Sequence, residues 1–437
     1  MLSSSVADIV KRDPTLPGLA TLLDPDAFAG KLRSSLPDRD VRTADITYVK
    51  YRPGESCLVG YRIEAGESVT EAYAKAYPRS DADRRLRRAR EETGVPGPLG
   101  PGRLALEDLA AVVSVFPNDG RVKALSRVED PDSRRRLLRE SLPDRPDLRE
   151  GALKRIAYKP ERRCVAALLT EDGPQAVLKM HTRHSYPTRR GNAEAFVARG
   201  PLGLAAKLGH SDHYRTVVSE WLTDRPLGEE ISTPTLDAGA VETVGAALAE
   251  LHAQEPRWLA GLTRAAEAEA LLAEAAWLEA VCPWLAGGAD ELARRLCGHL
   301  VDAPPVDGPV HGDFHVRQIL LKDDHSGAAI LDFDGAFRGD PATDLGNFVA
   351  HLERDALRGR FPPRRVAPIR DALLEGYRAA TRRSVPPRVD LYAAVGLYRL
   401  APRFFRYNEP GWPEKTTELL KRAEEVLDEA PASGKGR

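Results

Sequence analysis

The sequence is poor in cysteine and lacks long apolar runs. Among its 437 residues are four cysteines, which stand far apart with no CxxC pair and no histidine cluster at metal-ligand spacing. Disulfide bonds and a structural zinc site are therefore not expected. Charged residues interrupt every long apolar stretch, which argues against a membrane-spanning helix, and Asp8 stands where a signal peptide would carry its apolar segment. We expect a cytoplasmic protein.

The chain also lacks an excess of charge of either sign. It carries 64 Lys and Arg residues against 65 Asp and Glu residues, a formal net charge of −1. No global field is available to attract nucleic acid or an anionic membrane, so neither is an expected partner. Apolar residues make up 42% of the chain and charged residues 30%, which is typical of a folded globular protein with two or three domains.

A repeated segment is present in the first half of the chain. Several short matches occur in the same order, which predicts a duplicated unit of about 100 residues. The matched segments are Tyr51-Arg52-Pro53 with Tyr158-Lys159-Pro160, Cys57 with Cys164, Lys75 with Lys179, and 97–100 with 200–203.

Each copy has the pattern of three strands, a helix and a further strand, which predicts a small antiparallel sheet. In the second copy the strands are expected at 153–158, 164–169 and 176–180, separated by turn-forming residues. The charged stretch between the copies is expected to be an exposed linker. After residue 234 the pattern becomes helical, with further helices expected at 264–280, 289–300, 367–380, 389–407 and 414–428.

The segment from His311 to Gln318 carries the clearest chemistry. It reads His-Gly-Asp-Phe-His-Val-Arg-Gln and leads into an apolar strand, and a second strand then ends at Asp332. Phosphoryl transfer needs a carboxylate to accept the proton of the attacking hydroxyl and oxygen ligands to hold Mg²⁺ against the nucleotide phosphates. Asp313 is the candidate base, and Gln318, Asp332 and Asp334 are the candidate metal ligands. Taken singly, Asp313 could instead cap its own turn, and Asp332 could form an Asx-turn at a strand end.

Together these motifs resemble the aminoglycoside-phosphotransferase (APH) family of kinase-like enzymes. The resemblance extends to the Leu-His end of a helix at 248–252 and to an Asp-Leu pair at 344–345, where a helix that supports the catalytic loop would begin. It implies ATP and Mg²⁺ as cofactors, and it places His311 and His315 beside Asp313 in the catalytic loop. For His315, burial for packing is the alternative.

One residue departs from the pattern of the family. Gln318 stands where most members have Asn, and its additional methylene would move the amide oxygen outward by roughly 1.5 Å. The form His-Gly-Asp-aromatic-His-x-x-Gln resembles the branch of maltokinases and related glucosamine kinases, in which Gln is normal and a capping domain precedes the kinase fold. The resemblance therefore implies a functional site.

The resemblance makes the second copy a kinase N-lobe. Lys179 would contact the ATP phosphates and pair with an acid on the following helix, for which Glu194 is the candidate; a solvated glutamate is the alternative. The segment Ser219-Glu220-Trp221-Leu222 would present backbone groups to adenine, although Trp221 could simply belong to the core. No G-x-G-x-x-G loop is present, and 159–163 occupies the turn instead. In the first copy, Lys75 is predicted to be uninvolved in ATP binding.

The predicted fold is α+β, a bilobal protein-kinase-like fold with a small antiparallel N-lobe, a helical C-lobe and an N-terminal cap that resembles an N-lobe. The predicted division of the chain is a cap at 1–128, a linker at 129–150, the N-lobe at 151–226, the C-lobe at 227–429 and a disordered tail at 430–437.

The predicted function is phosphorylation of a hydroxyl group on a small molecule, a sugar or amino sugar, at the expense of ATP. Two alternatives stay open: a phosphotransferase acting on an aminoglycoside-type antibiotic, and a pseudokinase that binds a ligand without catalysis. A protein kinase is not expected, because too few residues separate Asp334 from Asp344 to form an activation segment.

Overall fold

The computed structural model describes residues 2–233, 235–302, 306–381 and 384–429. The tail predicted at 430–437 lies outside these residues. Within the described ranges, no helix is both long enough and apolar enough to cross a bilayer.

The N-terminal part consists of three helices followed by an antiparallel sheet. Asp24 caps the third helix by accepting hydrogen bonds from the N–H groups of Asp26 and Ala27, and Pro25 occupies the first helical position. The elements are α1 (Ser4–Arg12), α2 (Leu19–Leu23), α3 (Pro25–Ser35), β1 (Val41–Arg52), β2 (Ser56–Ala65), β3 (Ser68–Ala76), α4 (Arg79–Glu91), β4 (Arg103–Leu106) and β5 (Ala111–Val115). The strand order is β1-β2-β3-β5-β4.

A second five-stranded antiparallel sheet follows helix α5 (Pro131–Ser141). Its elements are β6 (Ala152–Lys159), β7 (Arg163–Thr170), β8 (Gly173–His181), α6 (Tyr186–Asn192), β9 (Leu202–Gly203), β10 (Lys207–Ser211) and β11 (Thr216–Glu220). The strand order is β6-β7-β8-β11-β10, the order of the first sheet with each strand replaced by its counterpart; β9 pairs elsewhere.

The registers of the two sheets also correspond. Tyr51 lies opposite Cys57 in the first sheet, just as Tyr158 lies opposite Cys164 in the second. Lys75 lies opposite Val112, and Lys179 lies opposite Val217. These are the pairs that the sequence repeat aligns, so the two units share backbone architecture as well as sequence motifs. The domain boundaries drawn from the sequence stay a prediction.

The remainder of the chain is mainly helical, and the predicted α+β class is confirmed. Its elements are β12 (Arg225–Pro226), α7 (Leu227–Ser232), α8 (Ala238–His252), α9 (Arg264–Val281), α10 (Gly288–Asp302), β13 (Gly308–Val310), β14 (Ile319–Leu321), β15 (Ala328–Ile330), β16 (Phe337–Gly339), α11 (Ala342–Leu357), α12 (Val366–Ala380), α13 (Val389–Leu400), α14 (Arg403–Arg406) and α15 (Trp412–Glu429). The helix predicted over 389–407 is divided at Pro402, whose missing N–H interrupts the helical hydrogen bonding.

Short strands at the centre of this lobe position the chemistry-bearing loops. Strands β14 and β15 form a hairpin within the sheet β12-β14-β15-β9, and β13 pairs with β16. The segment 311–318 therefore lies between β13 and β14, and Asp332 and Asp334 follow β15 directly.

The apolar core of the first sheet is continuous with the helical lobe. One cluster of buried side chains contains Tyr51 and Val59 of the sheet together with Leu278 of α9 and Leu397 of α13. At this boundary the indole N–H of Trp277 donates to the Tyr51 carbonyl oxygen at 2.9 Å. The second sheet has a separate cluster, which it shares with α5. The first sheet thus packs against helices of the C-terminal part, while residues 122–128 of the predicted cap belong to the apolar cluster of the second sheet.

Candidate active site

A buried carboxylate binds the backbone at the start of the loop 311–318. Asp344, at the start of α11, is fully buried and accepts hydrogen bonds from the N–H groups of His311 (2.7 Å) and Gly312 (2.9 Å). His252, at the end of α8, places its Nε2 3.0 Å from Asp344 Oδ2. The Leu-His and Asp-Leu motifs singled out in the sequence therefore meet beneath the loop and fix its backbone.

Gly312 is needed for the sharp turn that this loop makes. Its φ is +80°, a region that residues with a Cβ seldom adopt, and an added Cβ would collide with the Gly335 carbonyl oxygen. The loop therefore passes directly against the turn that carries Asp334.

The two predicted loop histidines are buried, and each forms hydrogen bonds with backbone groups. His311 Nε2 donates to the Leu331 carbonyl oxygen at 2.7 Å, and its Nδ1 accepts the Asp313 N–H at 3.2 Å, so the ring is a neutral tautomer. His315 Nδ1 accepts the Arg317 N–H, also at 3.2 Å, and its Nε2 lies 3.8 Å from Asp313 Oδ2. Burial, together with neighbouring arginines, lowers the pKa of His315 to about 2, so this ring is also neutral. Both histidines orient the loop around Asp313.

His351 of α11 completes a small cluster around the candidate base. Its ring stacks on that of His315 with centroids 4.2 Å apart, and its buried Nε2 has no hydrogen-bond partner among the described residues. Ligand atoms of Asp313, His315 and His351 all lie within 4.8 Å of one another. The sequence did not single out His351, because no local motif contains it.

Asp313 has the position and the protonation behaviour expected of a base. Its side chain is about one-third exposed, and Arg403 Nη2 lies 3.8 Å from its Oδ1. Burial raises the pKa of Asp313 above the usual range, against the opposing effect of the Arg403 guanidinium. A carboxylate with a raised pKa accepts a proton more readily than a solvated aspartate.

The candidate metal ligands converge where β15 ends. Asp332 adopts a left-handed backbone conformation, with φ of +64°, and Gln318 Nε2 lies 3.4 Å from Asp332 Oδ2. Two carboxylates and an amide side chain therefore lie together at the end of β15, with the amide N–H of Gln318 turned toward Asp332. Carboxylate and amide oxygens are the ligands that Mg²⁺ prefers. The three residues predicted as metal ligands are brought together.

Two cations from the second sheet reach this carboxylate pair. Lys179 Nζ lies 2.6 Å from Asp332 Oδ1 and 3.2 Å from Asp334 Oδ1. Arg163 places Nη1 2.7 Å from Asp334 Oδ2 and Nη2 3.2 Å from Asp332 Oδ2. Burial alone would raise the pKa of Asp332, but Lys179 and Arg163 hold it well below its usual range. The sequence identified Lys179 but not Arg163, which stands at the turn that replaces a glycine-rich loop.

The pairing expected between Lys179 and Glu194 is not what the structure shows. Helix α6 ends at Asn192, so Glu194 lies beyond it and forms an ion pair with Lys207. The helix after β8 instead contributes Asn192, whose Nδ2 donates to the Ala336 carbonyl oxygen at 2.8 Å. The short helix ends before any acid that could reach Lys179.

The predicted hinge segment lies at the end of the second sheet. Ser219 and Glu220 belong to β11, where the Glu220 N–H donates to the Ala206 carbonyl oxygen and the Trp221 N–H to that of Gln175. These two backbone donors are therefore engaged within the protein. Leu222 lines a cavity of about 370 Å³ together with residues on both sides of the lobe boundary. The other lining residues are Ala198, Arg199, Gly200, Leu202, Gly203, Leu204, Asp224, Lys322 and Ala329.

A smaller cavity of about 120 Å³ opens beside the candidate base. Helices α11 and α13, the start of α14 and the catalytic loop enclose it. It is lined by Gly312, Asp313, Thr343, Asn347, Tyr392, Val395, Gly396, Arg399, Leu400 and Arg403. The sequence did not indicate the two arginines, since they lie far from the motifs along the chain.

Comparison with known proteins agrees with this geometry. A model of the phosphotransferase enzyme family (APH) matches residues 165–392, which is more than half of the chain. No curated protein matches the sequence significantly.

Solved structures of similar architecture include several kinases. A choline/ethanolamine kinase family protein from Mesorhizobium loti is 16% identical, with a TM-score of 0.46 over 68% of this chain and 94% of its own. Choline kinase from Cryptosporidium parvum Iowa II is 10% identical, with a TM-score of 0.48 over 69% and 96%. The GDP complex of wild-type aminoglycoside 2'-phosphotransferase-IIIa is 16% identical, with a TM-score of 0.45 over 68% and 99%. The chain belongs to the phosphotransferase enzyme family (APH), as its motifs predicted, and is a phosphotransferase enzyme.

Proposed function

We propose that this protein is an ATP- and Mg²⁺-dependent kinase that phosphorylates a hydroxyl group of a sugar-like small molecule. The observation that carries the proposal is the convergence of Asp313, Gln318, Asp332, Asp334 and Lys179 from three separate chain segments onto one cleft. The conformation of each aspartate alone fits an ordinary turn, but their common meeting point with Lys179 does not follow from turn geometry.

The donor set of the cleft suits Mg²⁺. Asp332, Asp334 and Gln318 offer carboxylate and amide oxygens, which Mg²⁺ prefers, and Lys179 and Arg163 now neutralise the carboxylates. When bound there, Mg²⁺ would offset the negative charge of the nucleotide phosphates. Lys179 and Arg163 are then available to bind the phosphate oxygens.

The residues on the other side of the cleft act on the acceptor. Asp313 takes the proton of the attacking hydroxyl, and its raised pKa favours this transfer. His311 holds the Asp313 N–H, and His315 limits the rotation of the carboxylate through its Nε2 at 3.8 Å. The cavity beside Asp313 orients the acceptor, so positioning and electrostatics supply most of the rate enhancement.

The two alternatives can be weighed against the same geometry. A pseudokinase has no need of a complete set of base, metal ligands and lysine, and this chain places all of them together. An aminoglycoside acceptor carries several ammonium groups, whereas Asp313 supplies the single carboxylate among the residues that line the acceptor cavity. The sugar-kinase interpretation is therefore preferred. Four free cysteines fit a reducing cytoplasm, where we propose that the enzyme works.

The test is phosphoryl transfer from ATP to a panel of hexoses and hexose derivatives, measured as ADP release with and without Mg²⁺. Asp313→Asn should keep nucleotide binding and lose turnover by about 10²-fold or more. Asp332→Ala should lose Mg²⁺-dependent nucleotide binding. Asp323→Asn, in the exposed turn between β14 and β15, is the matched control and should behave as the parent protein. Parent-level turnover in both active-site variants would leave the pseudokinase as the better interpretation.

A further inference from the structure

The acceptor cavity combines one carboxylate with two guanidinium groups. Asp313 is reserved for the proton of the acceptor hydroxyl, which leaves Arg399 and Arg403 as the charged groups that a bound acceptor meets. Arg399 comes from the last turn of α13 and Arg403 from the first residue of α14, so the break at Pro402 directs both toward one space.

Both guanidiniums have hydrogen-bond donors to spare. Arg399 Nη1 lies 3.7 Å from Glu267 Oε1, and Arg403 Nη2 lies 3.8 Å from Asp313 Oδ1. These separations exceed a hydrogen bond, so neither contact uses the planar donor pair of the guanidinium. Each side chain is about one-third exposed, which leaves it accessible from the cavity.

The carboxylates next to the cavity are buried or already engaged. Glu267 is 4% exposed; its Oε2 accepts a hydrogen bond from the Tyr392 hydroxyl at 3.2 Å, and its buried Oε1, 3.7 Å from Arg399 Nη1, has no hydrogen-bond partner among the described residues. Glu274 accepts a hydrogen bond from Arg406 at 2.9 Å. A cationic acceptor would therefore face two arginines with no exposed, unengaged carboxylate except the base.

The positive field extends beyond the cavity. Lys159, at the end of β6, lies 5.7 Å from the centre of the Tyr407 ring, just past α14. Burial would raise the pKa of Tyr407, but Lys159 and Arg403 together lower it below its ordinary value. Near Lys159 and Arg403, binding of an anionic group is thus favoured over binding of a neutral group. Binding of a cationic group is the least favoured.

We propose that the acceptor carries a negatively charged group, and that Arg399 and Arg403 bind this group while its hydroxyl faces Asp313. The inference rests on the proposed kinase function and specifies the substrate class as an anionic sugar or sugar acid. Arginine binds carboxylate and phosphate in a planar, two-pronged geometry, which would also fix which hydroxyl is presented. In the reaction, the hydroxyl oxygen bonds to the γ-phosphorus, the bond from that phosphorus to the β,γ-bridging oxygen breaks, the proton passes to Asp313, and ADP leaves.

The test uses acceptors that share one ring and differ in charge: D-glucuronate, D-glucose and D-glucosamine. Their binding to the full-length protein with Mg²⁺ and a non-hydrolysable ATP analogue is measured by calorimetry, and turnover is measured with ATP. We expect glucuronate to be preferred over glucosamine by about tenfold or more. D-glucose 6-phosphate is a further arm that distinguishes recognition of a phosphate from recognition of a carboxylate. Equal binding of the three, no binding, or a preference for glucosamine would overturn the inference.

Substitution of the arginines tests whether the preference for an anionic acceptor arises in the cavity. Arg399→Gln should reduce the preference for glucuronate, and Arg399→Glu should shift it toward glucosamine. The matched control is Arg378→Gln, which removes an exposed arginine of α12 outside the cavity lining, and its charge preference should equal that of the parent. A preference that survives Arg399→Gln unchanged would contradict the assignment.

The failure of this inference is distinct from failure of the kinase function. Mg²⁺-dependent nucleotide binding, and its loss in Asp332→Ala, report on the kinase machinery and not on acceptor charge. If nucleotide binding is intact and glucosamine is the preferred acceptor, the kinase function stands and the anionic acceptor is wrong. If Arg399→Gln and Arg403→Gln raise the KM for ATP and leave the charge preference intact, both arginines serve the nucleotide phosphates and the inference also fails.

Discussion

Lys75 Nζ lies 2.7 Å from Glu161 Oε2, and this ion pair joins the first sheet to the turn between β6 and β7 of the second. Glu161 has a φ of +57°, and its N–H donates to Asp119 Oδ2 at 2.8 Å. Two residues further on, Arg163 reaches the carboxylates of the active site. The lysine that the sequence repeat pairs with Lys179 therefore holds the turn that faces the nucleotide.

This contact changes the prediction made from the sequence, in which Lys75 has no effect on ATP. We expect Lys75→Met to raise the KM for ATP by about threefold to tenfold, because a partly buried ion pair contributes on the order of 1 kcal/mol. Steady-state kinetics at saturating acceptor would measure the change. Lys31→Met is the matched control, since Lys31 forms an ion pair with Asp108 in the same sheet unit, away from this turn. An unchanged KM for ATP in Lys75→Met would instead support the prediction from the sequence that Lys75 is uninvolved in ATP binding.

Lys179→Ala should raise the KM for ATP and also depress kcat. The substitution removes one of the two cations that neutralise Asp332 and Asp334 and that face the transferred phosphate. The loss should exceed that of Lys75→Met, because Lys75 acts on the turn and Lys179 on the phosphates themselves. Side-by-side ATP titrations of the two variants would decide the order, and a larger effect from Lys75 would mean that the first copy is the working lobe.

Gln318→Ala should raise the Mg²⁺ concentration required for half-maximal activity while the fold stays intact. The amide nitrogen of Gln318 lies 3.4 Å from Asp332 Oδ2, so a flip of the amide would turn its oxygen to the same point, and the substitution removes this candidate oxygen ligand. Gln318→Asn should be milder. The measurement is a Mg²⁺ titration at fixed ATP with circular dichroism as the check on folding, and an unaltered titration in Gln318→Ala would assign the residue to loop structure.

The pH profile of kcat should fall on the acid side at a pH above the ordinary pKa of aspartate, 3.8. Burial raises the pKa of Asp313, so the base is protonated and inactive at pH values where a solvated aspartate would still be charged. Arg403 opposes this rise. Arg403→Gln should therefore move the acid limb to higher pH. A limb that moves to lower pH in that variant, measured at saturating substrates, would exclude Asp313 as the titrating group.

Gly376→Ala should destabilise the protein by about 1–3 kcal/mol, because α12 packs directly on the backbone of α8 at this position and an added methyl would collide with Glu242. Thermal unfolding would measure the change. The control is Gly298→Ala in α10, where an added methyl meets open space; it should be neutral or slightly stabilising. Equal changes in the free energy of unfolding in the two variants would show that α8 and α12 can move apart without loss of stability.

The sequence predicted the parts of the site that lie in local motifs and missed those that fold in from afar. Asp313, Gln318 and Asp332 fall within a span of 20 residues, and their types and spacing suffice to identify the chemistry. Arg399 and Arg403 lie more than 60 residues further along, and their position depends on how α13 and α14 pack. No periodicity carries that information.

For the fold, too, local features were predictable from the sequence and long-range packing was not. The internal repeat predicted the three consecutive antiparallel strands of each copy because each hairpin is specified by its own turn and apolar alternation, whereas the additional edge strands β4 and β10 were not predicted. The partner of the first sheet was not predictable, since an apolar sheet face specifies burial without specifying what covers it. Glu194 illustrates the limit at short range: helix α6 ended two residues too early for the expected pairing with Lys179.

The shared core of the first sheet and the helical lobe also has a consequence for synthesis of the chain. Tyr51 and Val59 share an apolar cluster with Leu278 and Leu397, which the ribosome adds more than 200 residues later. Contacts of such long sequence separation form slowly, and domains usually fold in order of their emergence. Here the first unit to emerge must wait for the last helices before its apolar face is covered. The apolar face of the nascent first unit therefore stays uncovered until α13 has left the ribosome, and slower elongation lengthens that exposure.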